Sequence, residues 1–428
     1  MPSLLEWRKE MSSTLSLFRQ KNYSHWFFSD TTDLLATSSR DFFIPLIAFS
    51  LTQSESFTGL SIALASFFFS FSTFFGGTLA DIYSRKKMLQ LLSIAGTIIC
   101  LLLVTFSYLR ILIPPIFLVL ITVLALVSGL LSPANNAILK SIISDNLFTQ
   151  AQAIRESRES ILSMVSTAFF GFIYKFWNTA SFLITGLLHA LSGVFASQIT
   201  IVYRADAQDS HNNQNQNVVQ NFFIKLWEGL TWSFNQRIFL WFIFSAALSN
   251  IATTALFVNV QIQLISSHTD TVKIALVDCS VGFVMFLGSL IAVPIAQHLK
   301  PSVITALNLA LFTICTILLM LFTNYWATLI FLAFGTFLFP ADNAAMLGYI
   351  YSQIPNSMQG RADSVLETVA TIFSAITPIF VGFGLQTFSA SGIIFFTIIC
   401  IQIIGIFIAL LSPLREIPIQ RGTMNSDN

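Results

Sequence analysis

Asp30, Asp33, Arg40 and Asp41 fall inside residues 24–50, a stretch otherwise apolar enough to cross a membrane. A charge at the centre of a spanning helix costs at least ~2.5–3.5 kcal/mol on insertion scales, so its presence demands a reason. Asp30, Asp33, Thr37 and Arg40 or Asp41 recur at i, i+3, i+7 and i+10 or i+11, which is one helical face. At ~1.5 Å per residue that stripe is about 15 Å long. Intramembrane charges face a bundle interior or a water-filled cavity and pair there. Low dielectric favours the protonated form of a carboxylate, and a neighbouring arginine favours the charged form. A carboxylate between those influences can load and release a proton, or hold a cationic group. Asp33 and Asp41 are the favoured carboxylates for this. Arg40 admits two readings, a substrate contact or a structural pair that locks helices together.

Other polar residues stand in apolar runs. "RESRES" opens the fifth such run, with Arg155, Glu156, Arg158 and Glu159 spaced to pair along one face; it reads as a gate network. Arg361, Asp363 and Glu367 form its counterpart in the eleventh run, and Glu367, a turn further in, reads as a substrate or proton residue. Asn135, Asn136, Asp342 and Asn343 lie in the fourth and tenth runs, as helix glue or substrate contacts; Asn136 and Asn343 are taken as candidates. Asn250 and Asn259 lie in the seventh run. Asp278 reads as solvated, and so does Asp30. His189 stands alone in the sixth run and reads as structural.

These residues need elements to position them, and composition says which. Of 428 residues, 55% are hydrophobic and only 10% charged, against roughly 25% charged in a soluble domain. Twelve apolar stretches have spanning length: 24–50, 57–81, 88–108, 112–139, 150–173, 178–202, 236–262, 273–297, 302–323, 326–351, 362–386 and 390–413. They are too long and continuous for barrel strands, so the expected fold is an all-α membrane protein. Lys and Arg concentrate at the N-terminus and in every second loop, among them Arg85, Lys86, Lys87, Lys140, Arg204, Lys300, Arg361 and Arg415. That bias predicts cytoplasmic termini. A net charge of +1 gives no reason to expect nucleic acid. Cys100, Cys279, Cys315 and Cys400 are scattered, so no metal or disulfide framework is expected. Residues 1–23 show no cleavable signal pattern.

The chain divides into 1–202, with six spans, a polar linker over 203–235, and 236–428, with six more. The linker holds the low-complexity "DSHNNQNQN", then "VVQNFFIKLWEGLTWSF", whose apolar residues recur at helical spacing as in a helix lying on the membrane surface. The halves repeat. "SPANNAIL" (132–139) returns as "FPADNAAM" (339–346), with Pro133, Ala134, Asn136 and Ala137 matched by Pro340, Ala341, Asn343 and Ala344, each copy in the fourth span of its half. A parallel repeat of six spans marks two-lobed transporters.

"GGTLADIYSRKKML" (76–89) between spans two and three resembles the loop signature of the major facilitator superfamily, with Gly77, Leu79, Asp81, Arg85 and Lys86 or Lys87 matching and Ser84 in place of a glycine. "FSLTQSESFTGLSIA" and "SPANNAILKSIISDNLFTQAQAI" resemble its macrolide-efflux and enterobactin-export branch. The resemblance implies twelve transmembrane helices in two pseudo-symmetric six-helix lobes. It implies a gate in which Asp81 faces the start of the eleventh helix near Arg361, and places spans one and seven, with Asn250, along a central cavity. It further implies a monomeric secondary transporter in the bacterial inner membrane, exporting a small organic molecule by alternating access with a proton gradient and no bound cofactor. The alternatives are uptake of a nutrient, siderophore or lysolipid, and a transport-inactive sensor or scaffold. The Gly-Pro pair common on span five of drug–proton antiporters is missing from "SMVSTAFFGFIYKF". No catalytic or nucleotide-binding motif points to an enzyme.

Overall fold

The computed structural model describes residues 17–18, 20, 22–143, 145–178, 181–200, 236–354, 359–388 and 391–419. The expected surface helix after the linker lies outside them. Among the described residues the chain is helical without strands: α1 (Tyr23–Thr52), α2 (Glu55–Ile82), α3 (Arg85–Tyr108), α4a (Pro114–Leu131), α4b (Pro133–Ile142), α5 (Asp145–Phe176), α6 (Ser181–Gln198), α7 (Arg237–Ser266), α8 (Thr271–His298), α9 (Pro301–Leu321), α10a (Tyr325–Gly335), α10b (Phe339–Gln353), α11 (Gln359–Phe388) and α12 (Ser391–Leu411). Taking α4a–α4b and α10a–α10b each as one segment, eleven segments are long and apolar enough to cross a membrane. The remaining one, α5, has 32 residues and carries the "RESRES" charges in its first half. The fold is therefore the expected all-α, multi-pass architecture.

Backbone polar groups in lipid must be satisfied within the helix, and the many hydroxyls follow the same constraint. Ser61, Ser72 and Thr97 each donate to the carbonyl four residues back, at 2.8, 2.6 and 2.7 Å. The turns are tight and use residues other than glycine: Gln53, Arg110 and His268 take positive φ just past α1, α3 and α7. Asp270 and Asn324 cap α8 and α10a, accepting from Val272 N at 2.9 Å and Ala327 N at 2.8 Å.

The repeated proline motif becomes a repeated break. Proline has no N–H and clashes with the preceding turn, so the fourth and tenth segments each split just before it. Asn135 N bonds Ser132 O at the first break, and Phe339 N bonds Thr336 O at the second, each a three-residue step. A glycine of another helix packs against each break. A Cβ on Gly76 of α2 would lie 2.6 Å from Gly129 O and 2.7 Å from Leu130 O; one on Gly288 of α8 would lie 2.0 Å from Phe337 O.

By contact the chain forms two compact units. The first contains α1 to Ile44, Phe68–Ser166, and the chain from Ile173 through α6. Within it α3 packs along α6 and α4a. Small residues make that seam close: a Cβ on Gly193 would meet Ser93 Cβ at 2.8 Å, the pattern by which membrane helices approach without a hydrophobic driving force. The second unit contains α7–α12 together with Pro45–Phe67 and Thr167–Phe172. Within it α9 packs along α12 and α10a, the same pairing as in the first unit, and α7 packs along α11. Gly59 and Gly382 also meet in the second unit, a Cβ on Gly59 lying 2.2 Å from Pro378 O.

Gly76 and Gly77 are neighbours with opposite surroundings, since a Cβ on Gly77 meets nothing within 4 Å. One and the same substitution therefore has two outcomes. Gly76→Ala forces α2 off the α4 break and costs about 1–3 kcal/mol by overpacking, whereas Gly77→Ala is neutral or slightly stabilising through helix propensity. Thermal unfolding of the two purified variants checks this, and equal melting temperatures would contradict it.

Candidate functional site

The buried face of α1 runs through Trp26, Ser29, Asp30, Asp33, Ala36, Ser39 and Arg40, all within the first unit. This is the stripe expected from spacing, with two changes: Thr37 is only partly buried, and Asp41 falls off it, with 58% of its side chain exposed. Arg40 is buried, donates from Nε to Asp41 Oδ1 at 2.8 Å, and lies over the Phe69 ring at 5.5 Å. Its two readings thus begin from a guanidinium already held by its chain neighbour and an aromatic face.

Asp30 is buried and paired, which corrects the expectation of a solvated carboxylate. Arg158 of α5 donates from Nη2 to Asp30 Oδ2. Its Nη1 donates to Thr31 Oγ1 at 2.9 Å and Phe27 O at 3.1 Å, and its guanidinium lies over the Phe27 ring at 4.8 Å. Arg155 Nε donates to Glu159 Oε1 at 2.6 Å, the pairing that i, i+4 spacing permits, and stands 3.8 Å from Asp30 Oδ2. The "RESRES" charges that looked costly in α5 therefore neutralise the first helix.

Asp33 has different company. Asn135 Nδ2 of α4b donates to Asp33 Oδ2 at 3.4 Å, and Trp26 Nε1 donates to Asn135 O at 3.1 Å. On the other side His189 Nδ1 of α6 stands 3.5 Å from Asp33 Oδ1. His189 is thus drawn into the charged cluster, which isolation in the sequence did not show. Its only sequence signal was a polar residue within an apolar helix.

The repeated motif contributes its first polar residue rather than its second. Asn135 is buried and Asn136 exposed; Asp342 is partly buried and Asn343 exposed. Asp342 accepts from Asn308 Nδ2 at 3.0 Å and from Thr305 Oγ1 at 2.5 Å, tying α10b to α9. Asn250 Nδ2 donates to Ala370 O at 3.0 Å, joining α7 to α11. At the loop motif, Arg85 donates to Ala80 O at 3.1 Å and Ala137 O at 2.8 Å, and Lys86 Nζ to Ser197 O at 2.7 Å. The side chains of Asp81, Glu156, Arg361, Asp363 and Glu367 lie outside the described set.

Comparisons agree with this architecture. The family profile described as Major Facilitator Superfamily matches residues 32–295. No curated protein matches the sequence. Solved structures match in fold: nucleoside transporter NupG at TM-score 0.66 and 12% identity, over 90% of this chain and 97% of that one; a bacterial homologue of the iron transporter ferroportin in an inward-facing state at 0.67 and 11%, over 92% and 98%; and the xylose transporter XylE from E. coli, partially occluded and inward open, at 0.65 and 12%, over 95% and 100%. The protein is a multi-pass, all-helical membrane protein built on the fold of known transporters. The chain belongs to the Major Facilitator Superfamily, whose profile covers more than half of it, and is accordingly a transporter rather than an enzyme.

The Asp30–Arg158 pair makes a quantitative claim. Removing one partner of a buried ion pair strands the other, at about 3–5 kcal/mol, whereas removing both costs less than the sum. Asp30→Asn and Arg158→Gln should each lower stability strongly, and the double variant should recover part of the loss. Denaturant unfolding of the four proteins in one detergent measures the coupling; additive losses would show that the pair does not hold the helices.

Proposed function

We propose that the protein is a secondary active transporter that exports a small organic molecule by alternating access, driven by proton entry. The observation that carries the coupling is Asp33: a buried carboxylate on the first helix, with one oxygen held by an asparagine and the other without a hydrogen bond among the described residues. A permanently charged carboxylate left so is expensive in an apolar bundle, while one that gains and loses a proton has a use for the position. Asp41, exposed beside Arg40, and Glu367 are the further carboxylates in this reading, with Asn136, Asn250 and Asn343 as polar contacts to the cargo.

The direction rests on the resemblance of the second, fourth and fifth spans to macrolide and enterobactin exporters. A second reading, proton-driven uptake, is favoured by the likeness in fold to a D-xylose–proton symporter at TM-score 0.66. In both readings the six-helix lobes of 1–202 and 236–428, joined by 203–235, move about the cargo. Gly77, Asp81, Arg85, Lys86, Arg155, Glu156, Arg158, Glu159, Arg361 and Asp363 take part in gating. The working state is a monomer in the bacterial inner membrane with both termini cytoplasmic.

Inverted membrane vesicles with an imposed pH gradient test this directly. The cargo panel is a nucleoside, xylose, a dipeptide, a macrolide and a catecholate siderophore. Export coupled to proton entry predicts accumulation of a panel member that collapses with the gradient and is reduced about a hundredfold or more in Asp33→Asn, the range attributed to a positioned proton-transfer group. Accumulation indifferent to the gradient would reject the coupling, and gradient-driven depletion of preloaded vesicles would reverse the direction.

A further inference from the structure

We infer that Asp33 and His189 hold one exchangeable proton between them, and that this pair, rather than Asp33 alone, is the proton-carrying site. The inference rests on the coupling reading proposed for this transporter and adds a residue on another helix to it.

The geometry is specific to these two residues. Asn135 donates to Asp33 Oδ2, leaving Oδ1 as the free oxygen. His189 Nδ1 stands 3.5 Å from that oxygen and likewise has no hydrogen-bond partner among the described residues. An imidazole nitrogen and a carboxylate oxygen facing each other at that distance are a matched donor and acceptor for one proton. His189 keeps only 2% of its surface exposed. Its ring occupies the room left by Gly96 of α3, where a Cβ would come within 2.8 Å of the ring's Cγ and Cδ2. The helices are fixed on both sides of the pair. Ser29 and Ser192 exchange hydroxyl-to-carbonyl bonds at 3.1 and 3.0 Å, and Ser39 Oγ meets Thr185 Oγ1 at 2.8 Å. Along this seam α1 and α6 present a ladder of polar pairs, with a titratable one, Asp33 and His189, in the middle.

The charges around the pair explain why a histidine is useful there. Asp30 takes the buried guanidinium of Arg158, while Arg155 is shared with Glu159. Arg40, further along α1, is held by Asp41. On α3, Cys100 packs against Gly186 of α6, and Lys86 reaches the Ser197 carbonyl at the end of that helix. Among these described groups none brings a cation to Asp33. Histidine is the side chain whose charge ordinarily changes between pH 5 and 8. One proton taken from water onto the Oδ1–Nδ1 pair converts a net charge of −1 to zero, and its return to water on the other side restores the charge. No other bond is made or broken. Asp33, with 11% of its side chain exposed against 2% for His189, is the side through which water delivers the proton.

The test needs no cargo, because the proton is the probe. The full-length protein with labelled histidines is placed in lipid nanodiscs and its imidazole resonances are followed with pH; His189→Gln identifies the signal that belongs to His189. The expected result is a wild-type His189 signal that changes protonation state within roughly pH 5 to 9. In Asp33→Asn its midpoint should move, since the carboxylate that shares the proton is gone. A His189 signal that keeps one protonation state from pH 5 to 9 overturns the pair without a variant, as does a midpoint unmoved by Asp33→Asn in a folded protein. The vesicle assay separates the two ideas. Proton-driven transport beside a non-titrating His189 rejects the pair and leaves the coupling intact, whereas wild-type transport indifferent to the gradient rejects the coupling and the pair's role with it.

Discussion

A membrane helix that carries charges must bring their partners with it, and in this protein that constraint organises the whole first unit. Arg158 is the clearest case. Its guanidinium is satisfied by Asp30, Thr31 and the Phe27 carbonyl, all on α1, and lies over an α1 ring. Desolvating the two ions costs several kcal/mol each, and their attraction repays it only with good geometry and further hydrogen bonds. Those bonds are present, so the register of α5 against α1 is set by one side chain. The cation–π contact contributes on the order of 2 kcal/mol in a desolvated setting, and it comes from the aromatic run that starts α1.

The second organising feature is the break in the fourth and tenth segments. A proline alone would only kink a helix. Here each break exposes carbonyls to a glycine on another helix, Gly76 in the first unit and Gly288 in the second. In lipid the freed backbone has no water to turn to, and close packing covers it. The break also has a consequence for the site. Just past it, on α4b, Asn135 reaches Asp33 while its carbonyl receives Trp26. The proline motif and the carboxylates of α1 are thereby two parts of one arrangement.

Much of this was legible in the sequence, because membrane folding writes in coarse letters. Apolar runs of spanning length, prolines at matched places and charges on one helical face follow from lipid physics and survive into the structure. Finer matters depend on which way a side chain turns. Asn135 and Asn136 are equivalent as letters, yet a helix separates adjacent residues by about 100°, and only the first is buried. Asp30 looked solvated because its partner lies far along the chain on α5, and long-range pairing leaves no local mark. His189 was unreadable for the same reason: its meaning comes from Asp33 and Gly96 on two other helices.

The fold itself is shared with a nucleoside transporter, a xylose transporter and a bacterial homologue of an iron transporter at 11–12% identity, so the helices cannot by themselves decide what is carried. Any decision must lie in side chains that differ while the scaffold stays. Asp30 and Asp33 show how little is needed. They sit one turn apart on the same buried face. One is given a guanidinium, which keeps its charge at every physiological pH, and becomes a fixed joint between helices. The other is given an asparagine and an imidazole, whose charge can change within that range. In the proposed cycle, the difference between a structural charge and a switchable one thus rests on the neighbour and not on the carboxylate, and it is the neighbour on α6 that singles out Asp33.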